Sequence, residues 1–266
     1  MSSEAAAFVG NIPGNYDQYL GPRIFQGFAK DIARKAASLK PANVLELAAG
    51  TGIVSRHLRN QLPENCALTI TDLNEPMLLV AAEKFNPDEN LRVKVADATQ
   101  LPFDDDSFDV VVCQFGVMFF PDKDRSYAEA ARVLKPGGHY LLNVWDSLQN
   151  NRFAQIADRV ASEVFPDDPP GFYKVPFSYN NVGSIVSALT ANGFDEANCE
   201  TLQLEADLPC AEDFARGLIF GNPLFEEVKS RGGNPEEVCS RLAATLQEEL
   251  GGVLTLQALI ADAVAG

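Results

Sequence analysis

Hydrophobic residues follow two periodicities along the chain. Short apolar runs rich in β-branched residues alternate with longer stretches in which apolar residues recur every three or four positions. The short runs predict strands at 43–47, 67–71, 91–95, 109–114, 139–145, 198–206 and 253–263. The longer stretches predict helices at 22–38, 52–61, 75–84 and 123–134. Because strands and helices alternate, the sequence predicts an α/β protein with a doubly wound, mostly parallel sheet.

Two stretches that follow the fifth predicted strand do not fit this alternation. A helix at 151–164 is followed by a loop rich in proline and aromatic residues, and then by a helix at 181–192. Residues 209–252, between the last two predicted strands, are helical in pattern and carry Phe214, Phe220 and Phe225. Insertions of this kind lie over the ligand crevice when they follow the carboxyl ends of strands.

This organisation predicts a single domain over residues 1–266. We expect a core at 40–146 and helical lid insertions at about 147–180 and 209–252. The alternative is that the insertions are ordinary packing elements whose aromatic residues belong to the core, because aromatic positions at helical spacing are usually buried.

A loop of small residues follows the first predicted strand and indicates a ligand site. Residues 44–52 read Val-Leu-Glu-Leu-Ala-Ala-Gly-Thr-Gly, and Asp72 ends the next predicted strand. Small residues let a ligand approach the backbone, and the following helix offers unpaired N–H groups. A carboxylate at the end of the second strand can accept hydrogen bonds from both hydroxyls of a ribose. The pattern therefore predicts a nucleotide-like ligand.

The details of this loop argue against a dinucleotide. A dinucleotide fingerprint requires G-x-G-x-x-G, whereas Ala48 replaces the first glycine and no third glycine follows Gly52. Glu46 places a carboxylate inside the motif, where it repels phosphates and attracts an ammonium or sulfonium group. An NAD(P)-dependent oxidoreductase is thus the less favoured alternative.

Charge and composition narrow the possible partners and the compartment. The chain has 21 Lys and Arg against 37 Asp and Glu, a formal net charge of −16, and no basic run. This argues against a nucleic-acid partner and against an anionic membrane surface. The N-terminus has no cationic, apolar pattern of a signal peptide, and no apolar run reaches the roughly 18 residues of a membrane span. We therefore predict a cytoplasmic protein.

The cysteines predict neither a disulfide framework nor a metal site. Their number is five, which is odd, and no pair has the C-x-x-C spacing. Scattered cysteines of this kind are expected to be reduced thiols. We therefore expect no bound metal.

Four sequence blocks in a fixed order carry a resemblance to a known family. They are Val44–Gly52, Thr71–Met77, Ala96–Phe103, and Phe108–Gln114 with Arg132–Gly138. On these blocks, which lie within residues 40–146, the chain resembles class I S-adenosylmethionine (SAM)-dependent methyltransferases. The similarity is to the small-molecule group that includes the type 11 family and the quinone-biosynthesis methyltransferases. The resemblance implies a Rossmann-like, seven-stranded sheet with an antiparallel strand near the C-terminus, and a monomer or homodimer.

The resemblance also implies which residues bind the methionine and ribose parts of SAM. Glu46, Ala48, Gly50 and Gly52 are expected to line the methionine end, Glu46 through its charge and the others through the backbone. Asp72 is expected to accept hydrogen bonds from the ribose hydroxyls. The alternative for Glu46 is a carboxylate that caps a helix.

For the adenine and the methyl acceptor, the resemblance implies five further positions. Leu73 and Met77 are expected to pack on the adenine ring, although Met77 is alternatively a core residue. Asp97 is expected to accept from the adenine amino group, unless it caps a helix, while the backbone N–H of Ala98 donates to the ring. Gln114 is expected to lie beneath the cofactor and to face the acceptor.

No histidine of this chain matches a catalytic position of the resemblance. The family pattern often has a His-His pair where this chain has Met118-Phe119, which makes the region more apolar. His57 is predicted to lie inside the first helix after the cofactor loop, and His139 at the start of the fifth strand, away from the site. Both are expected to be structural.

Other residues remain as candidates for orienting the acceptor or removing a proton. Tyr16 and Tyr19, ahead of the first predicted helix, are expected to fold over the cofactor, and Asp146 ends the fifth strand on the crevice side. The alternatives are an aromatic staple for the two tyrosines and a helix-capping role for Asp146. We name Gln114, Tyr19 and Asp146 as the catalytic candidates.

The sequence as a whole predicts a SAM-dependent methyltransferase that releases S-adenosylhomocysteine (SAH). An O, N or C atom of a small, partly apolar acceptor would attack the methyl group in line. Proximity and orientation alone can supply about 7–11 kcal/mol, so a strong general base is optional. The alternative is a catalytically silent SAM-binding module that presents its helical insertions to a partner protein.

Overall fold

A computed structural model describes residues 10–266 of the chain. Residues 1–9, on which the expectation about a signal peptide rests, lie outside the described residues. Among the described residues, no helix is both long and apolar enough to cross a membrane. Within the same range, no cluster of three His, Cys, Asp or Glu side chains could hold a metal ion.

The strands of the described residues form one seven-stranded sheet with the order β3-β2-β1-β4-β5-β7-β6. β1 to β5 pair in parallel, and β7 runs antiparallel between β5 and β6. This topology confirms the predicted Rossmann-like fold class. The strands are Asn43–Glu46, Ala67–Asp72, Leu91–Val95, Phe108–Gln114, Leu134–Trp145, Phe194–Asp207 and Val253–Ala265, numbered β1 to β7.

Helices precede, connect and follow these strands. Five of them lie within one or two residues of the predicted positions, because each presents a buried apolar stripe to its neighbours. The long segment 209–252 divides into three helices separated by Gly221 to Pro223 and by a Gly-Gly turn. The α-helices are Ile12–Asn15, Gln26–Ser38, Ile53–Gln61, Glu75–Ala82, Lys123–Val133, Arg152–Val164, Val182–Ala191, Ala211–Phe220, Leu224–Ser230 and Pro235–Leu250, numbered α1 to α10.

The N-terminal segment differs from the prediction. A helix was expected only from residue 22, but the chain is already helical at Ile12, and Tyr16–Phe25 form a π-helix between α1 and α2. Pro22 and Gly21 lie inside this π-helix. Their propensities indicate a break in a sequence window, whereas packing of the segment against other elements stabilises it in the folded protein.

β5 also begins earlier than predicted. It starts at Leu134, which pairs with Phe108, and the register then shifts so that the next pair is Val110 with His139. The intervening residues bulge out of the ladder, and Gly137 adopts a φ of 75° that favours glycine. The prediction placed the strand start at 139 because Pro136 and two glycines resemble a turn.

An aromatic cluster joins the sheet to the first insertion. Trp145, at the end of β5, stacks on Phe115 with ring centroids 4.0 Å apart and an interplanar angle of 12°. Phe28 of α2 meets the Trp145 ring edge-on at 5.6 Å, and Phe153 of α6 lies at 5.9 Å. Phe214 of α8 is buried and lies 5.7 Å from Phe153. The core therefore extends from the sheet into both insertions.

Of the three aromatic residues singled out in the second insertion, only Phe214 belongs to this core. Phe220 and Phe225 are half-buried and pair with each other at 5.4 Å. The expectation of ordinary core packing thus describes Phe214, and Phe220 packs against the same core as a partly buried residue.

Candidate cofactor and acceptor site

The loop between β1 and α3, residues 47–52, has an unusual backbone. Ala48, Gly50 and Gly52 have φ values of 51°, 57° and 80°. A left-handed conformation costs an L-residue such as Ala48 about 1–2 kcal/mol, and strain of this kind clusters at ligand sites. Gly52 precedes α3 without any side-chain cap. The N–H of Ser55 in the first turn of α3 is directed at the Glu46 carboxyl group, and the N–H groups before it are candidates to bind a ligand.

Close packing against α4 explains why the chain needs a glycine at Gly52. A Cβ atom at this position would lie 2.8 Å from the Cβ atom of Ala81 in α4. Contacts this short do not occur between real side chains, so the loop approaches α4 only because Gly52 lacks a Cβ. The backbone path of the site is thus set by the glycine and by α4 together.

Asp72, at the end of β2, holds this loop in place. Its Oδ2 accepts a hydrogen bond from the Gly50 N–H at 2.9 Å, and its Oδ1 accepts from the Asn74 N–H at 2.8 Å. Burial raises the pKa of Asp72, while the hydrogen bonds from Asn74 and Gly50 oppose that shift. The sequence indicated a ribose-binding carboxylate, but it did not reveal that the same carboxylate organises the loop.

Three buried polar atoms around this loop have no hydrogen-bond partner. They are Glu46 Oε2, Thr51 Oγ1 and Ser55 Oγ, in side chains that are at most 2% exposed. Burial raises the pKa of Glu46 to about 8. Ser55 is close enough to oppose that shift, although its hydroxyl makes no hydrogen bond of acceptable geometry. Unpaired buried polar atoms are costly, and their grouping indicates a polar ligand.

The predicted adenine positions lie near the ends of β2 and β3. Leu73 is 61% exposed, which is unusual for a large apolar residue directly after a buried strand, whereas Met77 is buried in α4. Asp97 is exposed and its Oδ1 accepts from the backbone N–H and the hydroxyl of Thr99, at 2.8 and 2.7 Å. Asp97 therefore stabilises a turn rather than capping a helix, and Ala98 is half-buried beside it.

An aromatic cavity lies at the carboxyl ends of β4 and β5, where Phe115 and Trp145 line it, and it has a volume of about 60 Å³. Below, "the aromatic cavity" means this space. Tyr16, Phe25 and Phe115 line it from the N-terminal segment and the sheet, together with Met118 and Phe119. Both insertions complete the wall, the first with Phe153, Phe172, Tyr173, Pro176 and Phe177 and the second with Leu218 and Asn222.

Two polar side chains of the cavity wall have hydrogen-bond partners. The Tyr173 hydroxyl donates to the Leu218 carbonyl at 3.1 Å, and Asn222 Nδ2 donates to the same carbonyl at 2.8 Å. The residues that line the cavity include no His, Asp, Glu, Lys or Arg. The wall therefore provides no group that removes a proton at neutral pH. Met118 and Phe119, which stand where the family often has histidines, are part of this apolar wall.

The three catalytic candidates lie outside the cavity wall. Gln114 is half-buried at the end of β4, and its Oε1 accepts from Asn143 Nδ2 at 3.3 Å. Tyr19 is half-buried against α8. Asp146 accepts from the Ser147 N–H, from Asn150 and from Gln257. These partners are two side chains and the next backbone N–H, so Asp146 caps no helix among the described residues.

Tyr16 links the loop to the cavity. Its ring stacks on Phe25 at 5.0 Å and lines the cavity. Burial raises the pKa of Tyr16, and the negative charge of Asp72 adds to the effect. The hydroxyl is therefore within electrostatic reach of the carboxylate that holds the β1–α3 loop.

The two histidines are engaged in structural contacts. His57 Nε2 donates to Gln26 Oε1 at 2.5 Å, and burial lowers the pKa of His57. His139 Nδ1 lies 2.8 Å from Asp262 Oδ1, near the amino end of β5. Both contacts lie away from the cavity wall.

We expect His57→Gln and His139→Gln to change the turnover number by less than about twofold. A base must lie within roughly 2.6–3.2 Å of the proton that it removes, directly or through one water. Steady-state kinetics of the two variants, with folding checked by circular dichroism, measures this. A loss of activity in a folded variant that still binds the cofactor would show that the site is misplaced.

α8 packs against the N-terminal segment through two glycines. A Cβ on Gly217 would lie 2.8 Å from the Cβ of Tyr19, and a Cβ on Gly221 would lie 3.1 Å from the Tyr16 backbone nitrogen. The second insertion and the segment that carries Tyr16 and Tyr19 therefore fit together only because these side chains are absent.

Gly217→Ala is expected to destabilise the protein by about 1–3 kcal/mol, because the added methyl group overpacks the contact with Tyr19. It should also weaken cofactor binding, since the N-terminal segment must shift. Gly232→Ala is the control for a glycine in open space, although its φ of 73° adds local strain. Urea denaturation and calorimetry of both variants test the difference. Equal cofactor affinity in the Gly217→Ala variant and the wild type would contradict the proposed coupling.

The sheet order and the loop geometry define a class, the class I methyltransferase fold. Two solved structures show the same fold. Phosphoethanolamine N-methyltransferase 2 of Haemonchus contortus matches with a TM-score of 0.64 and 18% identity, over 100% of this chain and 61% of that chain. The YcgJ protein of Bacillus subtilis matches with a TM-score of 0.58 and 19% identity, over 90% and 98%.

Sequence comparison then identifies the family. Residues 45–142 match the family profile described as a methyltransferase domain. The ubiquinone/menaquinone biosynthesis C-methyltransferase UbiE of Rickettsia rickettsii is 39% identical over 193 residues, 70% of this chain and 69% of that protein. The chain belongs to the class I SAM-dependent methyltransferases. It is therefore an enzyme that uses SAM, and the oxidoreductase alternative is wrong.

Proposed function

We propose that this enzyme methylates a small, partly apolar molecule whose ring occupies the aromatic cavity. The observation that carries the proposal is the cavity itself, an apolar space that meets Tyr16 beside the β1–α3 loop. The name of the Rickettsia relative, a C-methyltransferase of quinone biosynthesis, supports a ring-bearing acceptor. The nucleophile is an O, N or C atom of that acceptor.

The site residues fit the cofactor that the family uses. Glu46, Thr51 and Ser55 offer unpaired polar atoms to its amino acid part, and the carboxylate of Asp72 lies at the end of β2 for its ribose. Leu73 offers an exposed apolar surface to its adenine, with Asp97 and Ala98 beyond. When bound, SAM supplies a methyl group that its positive sulfonium has already activated.

The residues of this chain therefore act mainly by position. The cavity wall excludes water and holds the acceptor, and we propose that Gln114 and Tyr19 orient it from outside the wall. Orientation of this kind accounts for about 7–11 kcal/mol in favourable cases. No basic side chain in the wall is needed for such a transfer, and none lines it.

Two stacked phenylalanine rings in the cavity wall favour a planar acceptor. Phe119 follows β4 and Phe172 belongs to the first insertion, and their rings are nearly parallel, at 20°, with centroids 6.4 Å apart. A flat ring between them needs two carbon contacts of about 3.5 Å each, or about 7 Å in all. The centroid distance of 6.4 Å is close to this value, so the two rings are candidates to hold a planar ring after they move apart.

Trp145 provides a direct test, because it is the only tryptophan and it lines the cavity. We expect 2,3-dimethyl-1,4-naphthoquinone, which is planar, to quench its fluorescence with saturation. The puckered decalin-1,4-dione, with the same ring skeleton, should not displace this probe. Phe172→Leu should weaken binding about fivefold, the value of one aromatic contact. Phe220 lies in the second insertion, outside the cavity wall. The Phe220→Leu variant should therefore bind the naphthoquinone as tightly as the wild type does.

Equal effects of the two phenylalanine substitutions, or displacement by the puckered dione, would contradict the planar-ring proposal. Incubation with SAM and metabolite extracts, followed by mass spectrometry, then identifies molecules that gain one methyl group. Cofactor binding without any methyl transfer to an extract component would favour the catalytically silent module.

The two insertions are expected to move when an acceptor enters. Ligand pockets usually enclose about 300–1,000 Å³, and the cavity of about 60 Å³ is much smaller. We expect SAH together with the naphthoquinone probe to slow hydrogen exchange in residues 147–180 and 209–252, since lids are less stable than the sheet that they cover. If exchange in both insertions already equals that of β1 and β4, and the ligands change nothing, the lid proposal is wrong.

A further inference from the structure

We propose that Asn143 is a positioning residue for the methyl acceptor: its buried amide fixes the orientation of Gln114, which then presents N–H donors to the ligand. The site thereby selects an acceptor whose ring carries an oxygen atom that accepts a hydrogen bond. This inference deepens the proposed function and rests on it, because the acceptor has to occupy the aromatic cavity. The sequence patterns did not single out Asn143.

The backbone N–H of Phe115 determines which way the Asn143 amide points. This N–H donates to the Asn143 carbonyl oxygen at 2.9 Å and also to Asn143 Oδ1 at 3.2 Å. A backbone N–H only donates, so the side-chain atom of Asn143 that faces it must be the oxygen. Asn143 is 0% exposed and lies in β5, inside the sheet, so its amide is held by its protein neighbours.

The orientation of Asn143 in turn determines that of Gln114. The two residues are register partners in the parallel strands β4 and β5, and Asn143 Nδ2 donates to Gln114 Oε1 at 3.3 Å. Because an amide NH₂ group only donates, Gln114 turns its oxygen toward Asn143 and its own Nε2 away from it. Within residues 10–266, no hydrogen bond joins Gln114 Nε2 to another residue, so its N–H groups are available to a ligand.

The turn that follows Gln114 contacts both halves of the site. Phe115 lines the aromatic cavity. A Cβ on Gly116 would lie 2.5 Å from the Cβ of Ala48, so the same turn lies directly against the β1–α3 loop. Phe115 has a φ of 52°, and strained backbone of this kind is found at ligand sites when the surrounding structure holds it. Its two hydrogen bonds to Asn143 help to hold this conformation, and with it the place of Gln114 between the cofactor loop and the cavity.

An unpaired N–H donor recognises a ligand atom that has a lone pair. Carbonyl, hydroxyl and phenolate oxygens accept hydrogen bonds, whereas methyl and ammonium groups do not. The residues that line the cavity include no charged side chain, so a polar substituent on the acceptor needs a partner at the edge of the cavity. A ring oxygen bound to Gln114 would fix the rotation of the ring in the cavity and so the ring atom that faces the methyl group.

Two probes that differ only in their ring oxygens test the inference. 2,3-Dimethyl-1,4-naphthoquinone has two acceptor oxygens, and 1,2,3,4-tetramethylnaphthalene has methyl groups in their place. Equilibrium dialysis of the SAH-saturated protein measures the Kd of each probe, and the Kd of the hydrocarbon divided by that of the quinone defines the oxygen preference. Looser packing weakens the binding of both probes, so this ratio responds to the hydrogen bond and not to stability.

Two variants should lower the oxygen preference. Asn143→Ala removes the group that orients Gln114, and we expect the preference to fall about fivefold, the usual effect of one hydrogen bond. Gln114→Glu keeps an oxygen for Asn143 but replaces the N–H donors with a second oxygen. It should lower the preference at least as far, because that oxygen repels the oxygen of the quinone.

Asn151→Ala is the matched control. Asn151 is also an asparagine with 0% exposure, and its Oδ1 accepts from the backbone N–H of Gln257 in β7 at 3.0 Å. Its hydrogen bonds reach neither Gln114 nor Phe115. The control variant should be less stable than the wild type and keep the same oxygen preference.

A double-mutant cycle separates positioning from packing. If Asn143 acts through Gln114, Asn143→Ala should not change the ratio further in a Gln114→Ala protein. An equal fall with and without Gln114, or the same fall in Asn151→Ala, would overturn the positioning role. An unchanged ratio in both Asn143→Ala and Gln114→Glu would overturn the oxygen preference as well. In these cases saturable binding of both probes leaves the planar-ring proposal standing, whereas binding of neither probe by the wild type would contradict the proposed function and this inference together.

Discussion

Replacing Trp145 with alanine is expected to lower the free energy of unfolding by about 3–5 kcal/mol. The Trp145 side chain is 3% exposed and contacts Phe115, Phe28, Phe153 and Phe177, so its removal leaves a cavity that these rings cannot fill without moving. Because the ring also lines the aromatic cavity, acceptor binding should be lost as well. Urea denaturation followed by far-ultraviolet circular dichroism measures the change without the tryptophan signal.

Two control variants show whether the loss of stability comes from the packing of the Trp145 ring or follows from substitutions in general. Trp145→Phe keeps an aromatic ring at the end of β5. It should lower the free energy of unfolding by less than half as much as Trp145→Ala does. Leu79→Ala removes a side chain that is 63% exposed and should change stability by no more than about 0.5 kcal/mol. A loss below about 1 kcal/mol in Trp145→Ala would mean that the aromatic cluster is loosely packed and does not support the cavity wall.

Replacing Asp72 with alanine is expected to weaken SAM binding by about 2–3 kcal/mol, roughly 30- to 150-fold. The substitution removes the expected acceptor of the ribose hydroxyls and also the hydrogen bond that fixes the Gly50 N–H at 2.9 Å. The β1–α3 loop should become less ordered, while the sheet remains. Isothermal titration with SAM measures the affinity, and circular dichroism checks the fold.

Asp109→Ala is the matched control for this prediction. Asp109 Oδ2 also accepts from backbone N–H groups, those of Ala42 and Asn43 at 2.8 and 2.7 Å, but at the opposite end of β1. Its removal should lower stability and leave SAM affinity within about twofold of the wild type. If the two variants bind SAM equally well, Asp72 has no special role in the cofactor site.

Local sequence patterns were sufficient to predict most strands of the sheet. Each strand is a short run of apolar, β-branched residues, and the buried strands β1, β2 and β4 appear as such in any window of the sequence. The loop at 47–52 and the carboxylate of Asp72 are also recognisable in the sequence. Small residues after one strand and a carboxylate at the end of the next are typical of a nucleotide-like ligand site. The N-terminal π-helix is not recognisable, since Gly21 and Pro22 indicate a break.

The role of particular side chains depended on contacts between distant residues. Asp146 ends a strand on the expected side, but Asn150 and Gln257 donate to its carboxylate and give it a structural role. Gln257 belongs to β7, and no periodicity indicates that β7 inserts beside β5. The sequence left open whether Asp146 faces the site or caps a helix, and the contact with Gln257 shows instead a carboxylate that links the end of β5 to β7.

The sequence by itself determined the fold class, the methyltransferase family and the cofactor, because strand periodicity and the residues of the β1–α3 loop are local properties of the chain. The tertiary structure decided where the aromatic cavity lies and which groups are left without partners. Its wall combines Tyr16, Trp145, Phe172 and Leu218, which are far apart in sequence and meet only through packing. Likewise, the hydroxyl of Ser55 becomes a candidate ligand only because folding buries it beside Glu46 with no other partner. Burial and hydrogen-bond satisfaction are properties of the whole fold, and the order of residues alone does not specify them.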